Sequence, residues 1–301
     1  MPLTTDPKAT KRVMKGNTRV TGKEQFYTPP EIATSVVSEV LARAPWAMER
    51  TWIEPCGGTG AFLDAFAAAG IKDYWSCDIE PNDPRVIETN FLSAHPPAAG
   101  CVTVTNPPFG RNNALSVPFF NHAATFSELI AFIVPRSWRK WSVINRLDAS
   151  FHLVEDRDLL INYNDSGGAQ ISQRTSLQTC VQIWQRLDQP RPKVVIEDRG
   201  YIVRDDPEAA DVSLTIFGHG CGTLKTVFER VPRTTQLFLK VRDQDVVRAL
   251  GVIDYSRFYR NVAYTEALSI REIMFLLNEY FDREAGLPLA PRTADDGRLF
   301  A

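Results

Sequence analysis

Four consecutive residues, Asn106-Pro107-Pro108-Phe109, carry the sharpest chemical signal in the chain. An aromatic amine is a weak nucleophile because its lone pair is delocalised into the ring. Two acceptors aimed at its hydrogens, the Asn106 side-chain oxygen and the Pro107 carbonyl, would favour a tetrahedral nitrogen whose lone pair points at an electrophile. Prolines 107 and 108 fix the backbone beforehand, and prior alignment is a large part of such a rate enhancement. Phe109 is expected to stack on the ring that bears the amine, a contact worth about 1–3 kcal/mol per base. A proline-stiffened turn without chemistry is the bland alternative.

A second constellation lies upstream. Glu54 precedes Pro55-Cys56-Gly57-Gly58-Thr59-Gly60, a glycine loop that leads into a helical pattern. Glycines there let the backbone approach a ligand at the carboxyl end of a sheet, and a helix amino terminus favours an anionic group. Asp78 follows roughly twenty residues on, where a carboxylate can accept both hydroxyls of a ribose. A nicotinamide dinucleotide would suit the same features, but Leu63 stands where that fingerprint needs a third glycine or alanine. Acidic Glu54 is also a poor neighbour for a pyrophosphate. It suits a cation better, such as the ammonium and sulfonium of S-adenosylmethionine.

The elements that must hold these residues follow from the apolar pattern. Residues 31–41 read as a helix with Ile32, Val36, Val37, Val40 and Leu41 on one face, and Pro29 and Pro30 sit where a helix start tolerates proline. A strand over 51–54 enters the glycine loop. A helix over 61–69 closes at Gly70, and a strand over 73–77 ends at Asp78. The strand 102–105 runs straight into Asn106. A helix over 119–126 leads to 129–134, whose almost wholly apolar run suits a parallel strand covered on both faces. Strands over 150–160 and 179–186 complete the set. This alternation predicts an α/β fold built on a doubly wound, mostly parallel sheet. The polar link 162–178 is long enough to touch a substrate.

Gln189-Pro190-Arg191-Pro192 reads as a linker. Beyond it, strands over 193–203, 212–217 and 236–241 and a helix over 269–281 predict a smaller α+β C-terminal region. Ile270, Ile273, Met274, Leu277 and Tyr280 mark that helix's core face. The expected organisation is a basic flexible arm (1–24), a cofactor-binding catalytic domain (25–188) and a smaller recognition domain or extension (189–301). Residues 291–301 are expected to fray.

Composition narrows the partners. The 301 residues are 44% hydrophobic and 23% charged, ordinary for a globular chain, and no apolar run is long enough to span a bilayer. The polar, basic start lacks the apolar core of a secretory signal, so a cytoplasmic location is expected. Five scattered cysteines and four histidines show no ligand spacing; reduced thiols and no metal are expected. Net charge is −2, but Lys8, Lys11, Arg12, Lys15, Arg19 and Lys23 crowd the start, either as a contact to a nucleic-acid backbone or as a solvated tail. Trp138 and Trp141, beside Arg136, Arg139 and Lys140, could stack on bases and grip phosphates, or form a helix start with one buried tryptophan. Arg230 and Arg233 could touch a phosphate or be ordinary surface arginines.

Together these segments resemble the adenine-specific DNA amino-methyltransferases of the Asn-Pro-Pro-Phe type, in the motif order where the cofactor motifs come first. Gln25-Phe26-Tyr27-Thr28-Pro29-Pro30 resembles the family's leading Phe-Tyr-Thr-Pro segment, which folds over the methionine end of the cofactor. Glu54 to Phe62 resembles its glycine loop, and Asp78 falls at its ribose position with Ile79 placed to pack on the adenine ring. Residues 106–109 match its catalytic tetrapeptide. The likeness covers about residues 25–140, and more loosely extends to 188. One departure stands out: where the family carries an acidic residue ahead of Phe-Leu to hold the cofactor's adenine amino group, Asn90 precedes Phe91-Leu92. An amide oxygen can accept the same bond, so the departure bears on affinity more than on activity.

The resemblance implies a Rossmann-like fold of the class I methyltransferase type and S-adenosylmethionine as cofactor. It implies binding through Tyr27, Thr28, Pro29, Glu54, Gly57, Gly58, Gly60, Phe62, Asp78, Ile79, Asn90 and Phe91. It further implies in-line methyl transfer to the exocyclic amino group of adenine in DNA, served by Asn106, Pro107, Pro108 and Phe109 on a base extruded from its stack. Three alternatives stay open. They are the same reaction on RNA, methylation of a protein glutamine amide, and a non-catalytic nucleic-acid-binding or partner subunit. Glutamine-modifying enzymes usually carry tyrosine where Phe109 stands.

Overall fold

The computed structural model describes residues 26–164 and 177–287. The expected basic arm, Gln25 of the leading segment, the middle of the 162–178 link and the carboxyl end lie outside the described residues.

Ala33, Val36, Val37 and Val40 recur at helical spacing and form the buried face of α1 (Pro30–Arg43). The chain then lays down β1 (Trp52–Glu54), α2 (Ala61–Ala68), β2 (Tyr74–Asp78), β3 (Ile87–Glu88) and β4 (Cys101–Thr105). It continues through α3 (Ser116–Ala123), β5 (Ser127–Pro135), the single turn α4 (Trp141–Ile144), β6 (Phe151–Leu159) and β7 (Thr179–Arg186). The seven strands form one sheet in the order β3-β2-β1-β4-β5-β7-β6. Of these seven, β7 alone runs against the rest. This is the mostly parallel, doubly wound sheet that the sequence predicts.

Burial follows the period of two that a strand imposes. Leu129, Ala131 and Ile133 of β5 join the core that also holds α1 and α2, while Ile130, Phe132 and Val134 join the one that holds α3. All six are fully buried, as a central parallel strand requires. The two-residue β3 has no counterpart in the expected elements; both its residues are exposed, so no apolar run marks it.

The second unit is an antiparallel sheet of β8 (Ile202–Arg204), β9 (Val212–Thr215), β10 (Leu224–Lys225) and β11 (Gln236–Val241), in the order β10-β9-β11-β8. Helices α5 (Gln244–Val252), α6 (Ser256–Tyr259) and α7 (Ile270–Glu284) come after it. The strand expected over 193–203 is confined to its last residues, and α5 and β10 are additions. Helix α7 opens on a capping box between Ser269 and Glu272. Among the described residues, no helix is long and apolar enough to cross a membrane.

The segment after β5 decides between the two sequence readings. Trp138 is fully buried with its Nε1 donating to Ser116 Oγ at 3.1 Å, and Trp141 packs against Phe258 and Phe275 of the second unit. Neither indole is placed to stack on a base. Arg136 and Arg139 pair with Asp156 and Asp158 of β6, and Lys140 Nζ lies 2.8 Å from Glu272. Arg230 donates to the carbonyls of Pro207, Glu208 and Ala210, and Arg233 pairs with Glu229. These cations are occupied with the fold itself.

Glu272 is buried and serves both Lys140 and the α7 cap. Removing it as Glu272→Ala strands a partly buried ammonium and opens the helix start. Urea unfolding is expected to show a loss of about 3–5 kcal/mol. A loss under about 1 kcal/mol would mean that this tie does not hold the second unit in place.

Candidate active site

Strand order reverses direction between β1 and β4, and the crevice outside the carboxyl ends of two such strands is where an open α/β sheet takes its ligand. The glycine loop leaves β1 there, and Asn106 to Phe109 leave β4. A cavity of about 550 Å³ opens at this place.

Each glycine of the loop answers a different crowding. A Cβ on Gly57 would meet Val86 Cγ2 at 2.7 Å, and one on Gly58 would meet Tyr27 Cε1 at 2.8 Å. Gly58 also holds a φ of +44°, in the left-handed region. Gly60 packs instead against Asp83 and Arg85, so it shapes the loop from behind and is not on the cavity wall.

The leading segment closes the cavity from the other side, and three asparagines tether it. Tyr27 exchanges backbone hydrogen bonds with Asn164 at 3.2 and 3.1 Å. Its hydroxyl accepts from Asn82 Nδ2 at 2.9 Å, and the Phe26 carbonyl accepts from Asn106 Nδ2 at 3.0 Å. Tyr27 and Thr28 line the cavity, while Pro29 is buried at the start of α1. Burial, with Asp78 and Glu80 nearby, raises the pKa of the Tyr27 hydroxyl, which stays protonated.

Asp78 ends β2 with both oxygens directed by backbone donors: Oδ2 accepts from Gly58 N at 3.0 Å and Oδ1 from Glu80 N at 2.9 Å. Burial raises its pKa, opposed by those donors. A carboxylate oxygen keeps capacity for further donors, so a diol can still be held. Beside it Ile79 is 71% exposed on the cavity wall, an apolar surface that a flat ring would cover. Asn90, Phe91 and Phe62 line the same space. Asn90 Oδ1 already accepts from Leu92 N at 3.1 Å, capping the short turn 91–93. Its second lone pair is what remains for an incoming amine.

Asn106 and Pro108 reach the cavity wall. Because Asn106 Nδ2 is spent on the Phe26 carbonyl, the orientation of the amide is set, and its Oδ1 is buried without a hydrogen-bond partner. Pro107 is buried off the wall, and its carbonyl accepts no hydrogen bond among the described residues. Phe109 departs from expectation. Only 5% exposed, it belongs to the core on the α1 side and offers no face to the cavity. Burial in that core removes its apolar ring from water.

Glu54 also lies beneath the wall, with no exposed surface. Its Oε1 accepts from Cys56 N at 2.8 Å and from Thr105 Oγ1 at 2.5 Å, and its Oε2 is buried without a donor. Sequence reasoning missed Leu92, Leu115 and Phe119, which add apolar wall. Leu115 and Phe119 come after the tetrapeptide in an apolar-rich stretch that looks like any helix start.

No family model and no curated protein matches the chain. Solved structures resemble part of it at low identity. A Pyrococcus horikoshii protein assigned as an RNA methyltransferase is 14% identical over 55% of this chain and 87% of that one, with a TM-score of 0.43. A class I S-adenosylmethionine-dependent methyltransferase assigned in Listeria monocytogenes is 13% identical over 60% and 67%, with a TM-score of 0.38. TrmN from Thermus thermophilus is 15% identical over 52% and 49%, with a TM-score of 0.39. What the cavity does has to be read from its own side chains.

Burial, opposed by the Thr105 and Cys56 donors, pushes the Glu54 carboxyl up from 4.5 to about 8. A carboxyl raised in the folded state favours folding fully below its unfolded value, and that contribution is lost as pH climbs through the folded one. Between about pH 5 and pH 9 the ligand-free protein is expected to lose melting temperature faster than Glu54→Gln, by on the order of 5 °C. Parallel curves for the two proteins would mean that this carboxyl ionises as easily folded as unfolded.

Proposed function

We propose that this chain is an S-adenosylmethionine-dependent methyltransferase that modifies the exocyclic amino group of adenine in DNA. The observation that carries the reading is the Asn106 Oδ1: a buried acceptor with no partner among the described residues, in a side chain that lines a cavity suited to a nucleoside-bearing ligand. A buried polar atom left unpaired costs about 1–3 kcal/mol, and a functional partner is one standard reason for its survival.

The residues present fit the cofactor. Asp78 would take the ribose hydroxyls, Ile79 and Phe91 the adenine, and Asn90 its amino group. Tyr27, Thr28 and the backbone of Gly57 and Gly58 would enclose the methionine end. Bound there, S-adenosylmethionine supplies a methyl group on a positively charged sulfur.

The chain's own residues then do the rest. Asn106 Oδ1 accepts one hydrogen of the target amine, and the Pro107 carbonyl, buried off the wall, accepts the other once the turn opens to the base. Both acceptors favour a tetrahedral nitrogen, which frees its lone pair to act as the nucleophile. The methylated nitrogen is acidic and loses its proton to water, so no strong general base is needed. Stacking by Phe109 requires its ring to leave the core when a base enters. Residues 189–301 and the basic stretch 1–24 are assigned to the strand around the target. The likeness of the leading segment and the tetrapeptide to the DNA-type family favours DNA over RNA and over a glutamine amide.

Asn106→Ala is expected to lower kcat by about 10²-fold or more, while the cofactor Kd measured by calorimetry stays within about threefold. Comparable losses in both would make Asn106 a structural residue and remove the reading's main support. Competition of DNA, RNA and glutamine-containing peptides for the transferred label decides the acceptor; the account expects DNA to compete and the other two to fail.

A further inference from the structure

Glu54 is used by nothing in the proposed transfer, yet its surroundings are unusual for a carboxyl. It has no exposed surface and is not on the cavity wall, but the backbone N–H it holds belongs to Cys56, which is. One oxygen holds Cys56 N and Thr105 Oγ1; the other meets no donor. The titratable groups whose fields reach it are Asp78 and Cys77 of β2 and Cys56 of the glycine loop, and none can carry a positive charge. Thr105 of β4 contributes only a hydroxyl. Among the described residues, no lysine, arginine or histidine pairs with it.

An ionised carboxylate in such a place is strongly disfavoured unless a cation arrives. Burial accordingly holds the proton on, up to about 8. The ligand assigned to the cavity is such a cation before transfer and is not one afterwards. The methyl donor carries a sulfonium; its product is a neutral thioether. Both keep the same ammonium and carboxylate, so the charge that changes is the one on sulfur.

We propose that Glu54 meters the charge in the cavity, keeping its proton when the bound sulfur is neutral and releasing it to solvent when a sulfonium is bound, so that donor and product bind with different proton stoichiometry. The step breaks one carboxyl O–H bond and delivers one proton to the buffer, with no other reactant. Its consequence is specificity: the ionised carboxylate is formed only with the donor, which widens the affinity gap between donor and spent product. Through Thr105, the residue before Asn106, the same group ties cofactor charge to the acceptor that holds the amine.

The inference rests on the proposed methyltransferase function, and calorimetry separates the two. Binding is measured near pH 7 in buffers of different ionisation enthalpy for three probes. These are S-adenosylmethionine, its thioether product, and an analogue bearing a primary ammonium in place of the methylsulfonium. A carboxyl titrating near 8 is about nine-tenths protonated there, so the two cationic probes are expected to release between about half a proton and one, and the thioether close to none. In wild type the product-to-donor Kd ratio is expected to rise with pH up to about 8, approaching tenfold per pH unit. Glu54→Gln should abolish both differences while still binding the thioether, which also verifies its fold. Equal proton counts for donor and thioether in wild type, or a difference that survives Glu54→Gln, overturns the role of Glu54 and leaves the methyltransferase reading intact. Absence of binding by all three probes overturns both.

Discussion

A single buried oxygen joins the two halves of the candidate site. Glu54 Oε1 takes a hydrogen bond from the glycine loop at Cys56 N and another from Thr105 at the end of β4. β1 and β4 are already neighbours in the sheet, but their loops diverge at the switch point, and a parallel ladder alone does not fix the chain beyond its last pair. This carboxyl does. Because it is sealed from water, its hydrogen bonds are stronger than surface ones would be, and any error in its surroundings costs correspondingly more. Cradle and acceptor are thereby held in one register before any ligand arrives, which is where positioning catalysts gain most.

The leading segment then acts as the third wall. Asn82, Asn106 and Asn164 come from three separate places in the chain, and each ties Phe26 or Tyr27 by hydrogen bonds. The contact with Asn106 has a double effect: it positions the segment and turns the amide so that its oxygen is the unpaired atom. Gly58 completes the fit, since any side chain there would collide with the Tyr27 ring. When Asn106 is replaced, the segment keeps its ties to Asn82 and Asn164, so the loss is expected to fall on amine recognition and not on cofactor enclosure.

Much of this was legible from residue order, for identifiable reasons. Strands β7 and β11 fall on the predicted residues because a contiguous apolar pattern bounded by polar residues leaves little freedom in where they end. The strand-to-glycine-loop and strand-to-Asn-Pro transitions placed the cavity at the carboxyl edge. What residue order conceals is contact made at a distance. β3 is too short and exposed to leave a pattern, and α5 carries its apolar face on only Val246, Ala249 and Leu250. Trp138 and Trp141, amid cations, suit a nucleic-acid surface equally well until β6 supplies Asp156 and Asp158 and α7 supplies Glu272. Phe109 looks like a stacking platform from its position alone, yet its ring lies in the core. Asn90 was legible as an acceptor, though not as one already half-spent on Leu92 N.

The central claim is that an unpaired amide oxygen beside the cavity exists to receive an exocyclic amine. Its most direct test is chemical. DNA incubated with the protein and isotopically labelled S-adenosylmethionine is digested to nucleosides, and the labelled product is identified by mass spectrometry against standards. The account predicts label on the 6-amino nitrogen of deoxyadenosine. Label on a ring nitrogen or on a pyrimidine carbon, where two acceptors for amine hydrogens serve no purpose, would contradict it.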